Sequence, residues 1–429
     1  MRLYYLQVST DVLIPDVLPF QTWKRKFKIL MGIRMFLLSF ATCSVVAATI
    51  SWLSFRRYII AAFGQLKTRM IDAYVRKAMR TITTKPEGRC EIGEKMVDSS
   101  SFRYFRNAPA CLGEMYEKGR RFGTDDFLVY YTGSINRRIT FGDALDQATT
   151  IKNNLQHNYG MNVGDHIAIL CSNIPEFPLS FMAITSLGAV AVTLNAFWDS
   201  TLLLYGLTNS ESSMVIVDSK RLATLMRSEV QLQDLVKTGL QIVVITSNDA
   251  ELSSLPSWLK AVDFKQLLLT SVNEALKVVI PCRHPAVLMY TSGTTSRPKG
   301  VLLSHESFIQ AAYSYVLFWD LILMLKGSPA NRTCHLISSP LFHTAPLASS
   351  FLLAFEANVK LVLLPRWSTQ NAVNACKDEK VTTMGLMPTM LSDLVACPEF
   401  AKAKDSLVIT NIGTGKSNIC LSLLLCDLI

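Results

Sequence analysis

The stretch Tyr290 to Gly300, YTSGTTSRPKG, has the residue types of an anion-binding loop. Glycine lets the backbone approach a ligand closely, neighbouring backbone N–H groups can surround an oxyanion, and small hydroxyls add donors without bulk. The ammonium of Lys299 supplies the positive charge that a polyphosphate requires. The pattern therefore predicts a phosphate-binding loop, because an ordinary polar turn would not need five hydroxyl side chains before a Pro-Lys-Gly ending.

The loop follows a short apolar run and therefore lies at the end of a predicted strand. Similar runs, bounded by Gly, Pro, Asp or Asn, alternate along the chain with helical stretches, which is typical of an α/β fold with a parallel, doubly wound sheet. The predicted strands are 165–171, 189–195, 213–218, 240–246, 286–292, 335–340, 360–365 and 382–388. Since ligands of open α/β sheets bind at the carboxyl ends of strands, the loop has the position of a ligand site.

Two charge-free stretches after residue 107 are long enough to suggest membrane spans. They are Phe177–Trp198 and Leu336–Phe355. Each contains proline, and in each the spacing of the apolar residues changes along the segment. Both features favour a helix joined to a strand, or a strand joined to a loop, in a buried α/β core. We predict that neither crosses a membrane.

The basic excess is confined to the N-terminal quarter of the chain. The 429 residues carry a formal charge of +10, and residues 1–105 hold 17 Lys/Arg against 7 Asp/Glu, while the rest hold 26 of each. Cationic residues beside an apolar segment more often face anionic lipid than nucleic acid, and no zinc-finger or helix-turn-helix spacing is present. The ten cysteines form no CxxC pair. Nucleic acid is therefore not an expected partner, and no metal site is predicted.

Met35–Phe55 predicts a membrane anchor. This segment has no charged residue over 21 positions, about the length that crosses a bilayer as a helix. It begins too far along the chain for an ordinary cleaved signal peptide. A buried or interfacial helix is the alternative. Residues 1–57 are thus interpreted as a basic N-terminus with the anchor (about 35–55), and residues 58–106 as a linker or adaptor.

YTSGTTSRPKGVLLSH closely resembles the phosphate-loop signature of the class I adenylate-forming (AMP-binding) superfamily, which includes acyl-CoA synthetases. Further family patterns follow the expected order, among them GAVAVTLN, PLFHTAP and VTTMGLMPTML. The resemblance covers residues 107–412 and implies the large N-terminal domain of these enzymes, with doubly wound sheets. Residues 413–429 are interpreted as an atypical tail, and the small C-terminal domain of the family is expected to be absent.

The resemblance implies a two-step ligation. A carboxylate attacks the α-phosphate of ATP and expels pyrophosphate, and the thiol of coenzyme A then displaces AMP; magnesium accompanies ATP. Lys299 and His343 are the implied catalytic residues, with His343 of PLFHTAP bordering the acyl pocket and orienting the carboxylate. A satisfied core histidine is the alternative for His343. The implied nucleotide-binding residues are Thr291, Ser292, Gly293, Thr294, Thr295, Ser296, Lys299 and Gly300.

Two departures from the family pattern leave catalysis open. Ser296 stands where relatives have glycine, and serine tolerates positive φ poorly. After SLVITNIG the chain reads TGKSNICLSLLLCDLI, so the later family motifs, including those that hold magnesium, ribose and the catalytic lysine of the small domain, are expected to be missing. Residues 107–412 are therefore an incomplete domain in this interpretation.

Two functions remain from the sequence. The first is the ATP-binding portion of a membrane-anchored fatty acyl-CoA synthetase, an acid–thiol ligase. The second is a non-catalytic membrane-bound protein that binds nucleotide or fatty acid and assists lipid uptake. A site held at a membrane favours a lipid-like carboxylic acid as substrate. The one predicted anchor indicates a single-pass protein. Because ATP and coenzyme A are cytosolic, its body is expected to face the cytosol. The sequence does not indicate whether this membrane is that of the endoplasmic reticulum, the peroxisome or the mitochondrial outer membrane.

Overall fold

The computed structural model describes residues 73–97, 99–246, 252–269, 279–291, 297–326 and 332–414. The predicted anchor, Met35–Phe55, and the tail after residue 414 lie outside these ranges. The strands are β1 (Ile92–Val97), β2 (Ser100–Phe105), β3 (Asp126–Tyr131), β4 (Ile135–Thr140), β5 (His166–Leu170), β6 (Val190–Thr193), β7 (Met214–Asp218), β8 (Gln241–Ile245), β9 (Val262–Asp263), β10 (Pro285–Thr291), β11 (Lys299–Ser304), β12 (Cys334–Ile337), β13 (Lys360–Leu363), β14 (Thr383–Leu386) and β15 (Asn411–Thr414). The helices are α1 (73–83), α2 (Leu112–Glu117), α3 (Phe141–His157), α4 (Glu176–Leu187), α5 (Ser200–Asn209), α6 (Ser219–Leu225), α7 (Glu229–Lys237), α8 (Gln266–Leu269), α9 (His305–Lys326), α10 (Thr344–Ala357), α11 (Thr369–Asp378), α12 (Pro388–Val395) and α13 (Pro398–Ala403).

Two mixed sheets form the body. The first has the order β11-β10-β6-β5-β7-β8-β9, and the second has the order β15-β14-β12-β13-β3-β4. All eight predicted strands are present, which confirms the α/β class. The prediction of parallel sheets needs a correction, because β11 and β4 each add an antiparallel edge strand. Each edge strand follows its partner through a short hairpin connection, which an antiparallel pair allows.

The charge-free stretches after residue 107 are parts of the core. Phe177–Trp198 forms α4 and β6, and Leu336–Phe355 forms the end of β12 and most of α10. All four residues of β6 are buried, as expected for a parallel strand covered on both faces. Among the described residues, α9 is the one helix long and apolar enough to cross a membrane by length and composition.

Phe355 lies at the centre of an aromatic cluster in the main core. The side chain is fully buried. Its ring centroid lies 5.0–5.9 Å from those of Tyr116, Phe127, Phe141 and Phe351. Gly119 packs against the same ring, and a Cβ atom added there would lie 2.7 Å from Cδ1 of Phe355. Because protein interiors are close-packed, this cluster fixes how the helices sit against the sheets.

Residues 73–106, the described part of the stretch interpreted as linker or adaptor, fold against α9. The β1–β2 hairpin contacts it through Phe105, whose backbone N–H donates to Oε1 of Gln310 at 2.7 Å. Arg89 donates through Nε to Asp320 at 3.0 Å, and Cys90 beside it is buried. These contacts attach both ends of α9 to the segment that precedes the sheets.

Acidification is expected to destabilise the fold through His335. This β12 side chain is buried, its Nδ1 lies 3.0 Å from the Ser350 hydroxyl, and burial lowers its pKa to about 4. The pKa of a histidine in the unfolded chain is about 6.5. Below that pH the unfolded state therefore binds more protons than the folded state, and the free energy of unfolding falls as the pH drops from about 6.5 towards about 4. The loss from this group is about 2 kcal/mol between about pH 7 and about pH 5. Urea unfolding at both pH values checks it, and His335→Gln should flatten the dependence; an unchanged slope would contradict the assignment.

Candidate functional site

The two ends of the predicted phosphate loop are fixed by the β10–β11 hairpin. Thr291 closes β10, Lys299 opens β11, and the two residues are paired in the antiparallel ladder. The Thr291 hydroxyl lies 3.4 Å from the carbonyl oxygen of Lys299. Thr291, Lys299 and Gly300 are all exposed, so the Lys299 ammonium is accessible to a ligand. The other predicted loop residues, Ser292, Gly293, Thr294, Thr295 and Ser296, lie outside the described residues.

Aromatic side chains hold the hairpin against α5. The Tyr205 hydroxyl donates to the carbonyl oxygen of Pro298 at 3.1 Å, and the Arg297 guanidinium lies 5.3 Å from the centre of the Tyr205 ring. At the other end of the loop, the Tyr290 ring packs edge-on against Trp198 at 5.4 Å. Burial raises the pKa of Tyr290 to about 12, so its hydroxyl remains a donor. Sequence analysis missed these anchors, because single aromatic residues in apolar runs carry no distinguishing pattern.

The motif around His343 lies at the same sheet edge as the loop. The Thr344 hydroxyl donates to Sδ of Met289 at 3.2 Å, and Met289 precedes the end of β10 by two residues. Thr193, the last residue of β6, donates to the carbonyl oxygen of Phe342 at 3.3 Å. The fold thus brings together two motifs that are distant in the sequence.

His343 lies at the surface beside an aromatic side chain. It is exposed, so it is not a buried core histidine. The Phe342 ring lies 4.7 Å away, and Phe342 in turn packs edge-on against Phe197 at 5.7 Å. Desolvation by the surrounding atoms lowers the pKa of His343, so the imidazole is uncharged at neutral pH. An uncharged imidazole can donate one hydrogen bond and accept another.

Asn173 connects the first sheet to the backbone that leads to His343. Its side-chain amide donates to the carbonyl oxygen of Ser339 at 3.0 Å, and its Oδ1 accepts from the backbone N–H of Leu341 at 2.9 Å. The Asn173 side chain is buried; the bond from Leu341 is sheltered from water, and the bond to Ser339 is partly sheltered. Asn173 is the second residue after the predicted strand 165–171, and that position was the available signal for a site residue.

Asn173→Ala is expected to destabilise the protein by about 2 kcal/mol and to loosen the connection before His343. The substitution leaves a buried N–H and a buried carbonyl without their partner, and each unsatisfied group costs about 1–3 kcal/mol before water enters. Urea unfolding and the rate of limited proteolysis within 338–343 measure the two effects. Asn173→Asp is the matched control, because it keeps an acceptor for Leu341 and loses the donor to Ser339. Equal proteolysis of all three proteins would contradict this role.

A cationic cleft lies beside the aromatic side chains. Its volume is about 660 Å³, and it is bordered by the residues that follow β5, β6 and β7 and by Pro365 and Arg366 after β13. Lys220, Arg227 and Arg366 are exposed at its wall, and within the described ranges none of the three forms an ion pair. Arg221 is held by Asp218 at 3.0 Å. A cleft with these charges is suited to an anionic group, most simply a phosphate.

The described residues contain no group of three or more His, Cys, Asp or Glu side chains placed to hold a metal ion. Hydroxyl and lysine side chains line the described ends of the loop. A magnesium ion at this edge would therefore depend on oxygen atoms of a bound phosphate as well as on the protein.

The sequence profile of the family described as AMP-binding enzyme matches residues 116–420, which is more than half of the chain. The chain is 27% identical to 4-coumarate–CoA ligase 4 of Arabidopsis thaliana over 270 residues, covering 62% of this chain and 45% of that protein. It is also 27% identical to the long-chain-fatty-acid–CoA ligase FadD13 of Mycobacterium tuberculosis over 243 residues, covering 57% of this chain and 43% of that protein. The chain therefore spans less than half the length of these curated relatives.

The fold is similar to that of a solved structure. The inhibitor-bound N-terminal domain of FACL13 from Mycobacterium tuberculosis superposes with a TM-score of 0.58, at 22% identity, covering 73% of this chain and 72% of that one. At this identity the similarity establishes the α/β fold. The described body thus has the architecture of the N-terminal domain of adenylate-forming enzymes.

Proposed function

Because the chain belongs to the AMP-binding enzyme family, we propose that it contributes the nucleotide site of an ATP-dependent acid–CoA ligase. The acid is a fatty or other lipid-like carboxylic acid. Its carboxylate oxygen attacks the α-phosphorus of ATP, the bond to the bridging oxygen breaks, and pyrophosphate leaves. The thiol of coenzyme A then attacks the acyl carbon and AMP departs.

One observation carries this proposal: the loop ends and the His343 motif meet at one sheet edge. The Thr344 hydroxyl, next to His343, donates to Sδ of Met289, two residues before the end of β10. An acyl-adenylate needs a phosphate-binding group and an acyl-binding group side by side, since the mixed anhydride links the two. In the proposal, phosphates bind beside Lys299, and the carboxylate binds beside His343.

Lys299 is assigned a charge-neutralising role. Negative charge gathers on the leaving pyrophosphate, and a preorganised ammonium stabilises such charge where it develops. The backbone and hydroxyls of Ser292, Gly293, Thr294, Thr295 and Ser296 would supply further donors, with Thr291 and Gly300 at the ends. His343, uncharged, donates a hydrogen bond to the carboxylate and so orients the attacking oxygen.

The cationic cleft is assigned to the phosphates of coenzyme A or ATP. Lys220, Arg227 and Arg366 present positive charge, and Phe197 and Trp198 present flat apolar surface on which a nucleobase can stack. Magnesium would enter with ATP and would neutralise charge on its phosphate oxygens. Trp198, which lines the cleft, packs against Tyr290 of β10, the strand that leads into the loop.

The proposals of a lipid-like acid and of a membrane location rest on the residues before the folded body. Met35–Phe55 is proposed as a single-pass anchor, with membrane lipid as partner and the body in the cytosol, where ATP and coenzyme A are found. A site held at a bilayer can draw its acid from the lipid phase. Protease protection of an N-terminal tag in sealed microsomes tests the orientation, and complete digestion of the tag would overturn it.

Exchange of radiolabelled pyrophosphate into ATP tests the function. A ligase site should catalyse exchange that depends on added dodecanoate, and Lys299→Ala and His343→Ala should each reduce it. The alternative is a non-catalytic membrane-bound protein that binds nucleotide or fatty acid and assists lipid uptake. Measurable binding of ATP or dodecanoate without any acid-dependent exchange would favour that alternative.

A further inference from the structure

One helix, α5, holds both ends of the predicted phosphate loop. Before the loop, the Tyr290 hydroxyl of β10 donates to the carbonyl oxygen of Gly206 at 3.1 Å. After the loop, the carbonyl oxygen of Pro298 accepts from the Tyr205 hydroxyl, also at 3.1 Å. Gly206 allows the helix to approach closely, since a Cβ atom added there would lie 2.8 Å from Cδ2 of Leu194. Tyr205 is therefore a fixed ring beside the residues that leave the loop.

The guanidinium of Arg297 lies over this ring. Its central carbon is 5.3 Å from the ring centre of Tyr205, within the range of cation–π attraction. Arg297 is exposed, and within the described residues it forms no ion pair and donates no hydrogen bond. Arg120 and Arg137, by contrast, each bind a carboxylate. A guanidinium carries five N–H donors in its plane, so contact through its flat face leaves these donors for another partner.

The hairpin that carries Arg297 has positive charge without a carboxylate to balance it. Residues 285–304 contain Arg297 and Lys299 and no Asp or Glu, and α5 itself has no charged residue. One residue separates the two cations, so their Cα atoms are at most about 7 Å apart. Like charges at such a distance repel each other unless an anion binds beside them. The pair is therefore suited to a ligand that carries more than one negative group.

Arg297 lies on the side of β10 that faces away from the His343 motif. Successive side chains of a strand point to opposite faces of the sheet. Met289 contacts Thr344 of that motif, whereas Tyr290, the next residue, contacts α5. In the proposed function the reacting α-phosphate lies towards His343. A cation on the α5 side would therefore meet the β- and γ-phosphates, which extend away from the reacting centre.

We propose that Arg297 is a second phosphate-binding residue of the nucleotide site, and that Tyr205 positions its guanidinium. This inference rests on the proposed function and adds to it a residue for the outer phosphates of ATP. Lys299 supplies a compact point charge, whereas Arg297 can bind two oxygen atoms of a phosphate at once. Because the ring already restricts the side chain, less conformational entropy is lost when the phosphate binds.

Titration calorimetry of the full chain with ATP and with AMP, each with magnesium, tests the assignment. Arg297→Ala should weaken ATP binding about 10-fold and change AMP binding less than about twofold, because AMP lacks the outer phosphates. Arg297→Lys should recover only part of the affinity, since it restores the charge without the paired donors. The matched control is Arg103→Ala in β2, whose side chain is 59% exposed, and it should bind ATP as the unsubstituted chain does. Equal losses for ATP and AMP would overturn the assignment.

Two substitutions of Tyr205 separate the effect of its ring from that of its hydroxyl. Tyr205→Phe and Tyr205→Leu both remove the hydrogen bond to Pro298, but only phenylalanine keeps a ring for Arg297. The leucine variant should bind ATP about threefold more weakly than the phenylalanine variant. When both variants also carry Arg297→Ala, their ATP affinities should be equal. A difference that persists without the guanidinium would overturn the positioning role, because it would come from packing alone.

The outcomes distinguish failure of this inference from failure of the function on which it rests. If Lys299→Ala weakens ATP binding and Arg297→Ala does not, Arg297 holds no phosphate and the ligase proposal stands. If the unsubstituted chain does not bind ATP, the nucleotide site and this inference are both wrong. Inorganic tripolyphosphate should compete with ATP about 10-fold less well in Arg297→Ala than in the unsubstituted chain. Equal competition would contradict contact between Arg297 and the outer phosphates.

Discussion

Replacing Lys299 with alanine is expected to weaken ATP binding about 10- to 100-fold. A charge-assisted hydrogen bond to a phosphate contributes about 1.5–3 kcal/mol, and Lys299 is the loop's lysine, exposed at the described end of the hairpin. Lys299→Arg should retain part of the affinity, because it keeps the charge but changes the reach and geometry of the donors. Titration calorimetry with ATP and magnesium measures the change.

The matched control for Lys299 is Lys237→Ala on α7. That side chain is 71% exposed, and its ion-pair partner within the described ranges is Asp234 on its own helix, so its loss should leave ATP affinity unchanged. If Lys299→Ala and Lys237→Ala bind ATP as well as the unsubstituted chain, Lys299 does not hold a phosphate. Unfolding curves of both variants should coincide with the parent, since surface substitutions usually change stability by about 0.5 kcal/mol or less.

Phe355→Ala is expected to destabilise the protein by about 3–5 kcal/mol. Removal of a fully buried ring loses the free energy gained by transferring that ring from water to the core. It also leaves a cavity, because the surrounding rings cannot all move inward to fill it. Phe355 touches four other aromatic rings, and these belong to α2, β3, α3 and α10, so collapse at one side would open a gap at another. Urea unfolding at constant pH measures the loss.

The same substitution at an exposed ring is the control for Phe355. Phe102 in β2 is 50% exposed, so Phe102→Ala should cost no more than about 1 kcal/mol. Equal destabilisation by the two substitutions would show that the aromatic cluster is not tightly packed. Loss of ATP binding by Phe355→Ala without loss of stability would place the ring in the site instead of the core.

The fold could be predicted from the sequence where pattern and packing agree. Buried parallel strands such as β7 are continuous apolar runs, and α3 begins where Thr140 accepts from the backbone N–H of Asp143. The antiparallel edge strands were missed for a physical reason. In β11 and β4 one face is solvent-exposed, so most of their residues are not buried and their sequences lack the continuous apolar run.

The candidate site divides in the same way. Lys299 and His343 remain predictions that rest on hydroxyl density and on a motif in the sequence. Asn173 and Tyr205 contact residues that are distant in the sequence, Leu341 and Pro298, and nothing local in the sequence encodes these contacts.

We propose that the phosphate loop and the His343 motif form one continuous site for an acyl-adenylate. The most direct test is titration of the full chain with a non-hydrolysable mimic of dodecanoyl-adenylate, in competition with ATP. When the acyl and adenylate groups are linked and bind at adjacent subsites, their binding free energies add. The mimic should therefore displace ATP and bind at least ~100-fold more tightly than AMP. A mimic that binds no better than AMP, or that does not compete with ATP, would contradict a joined site.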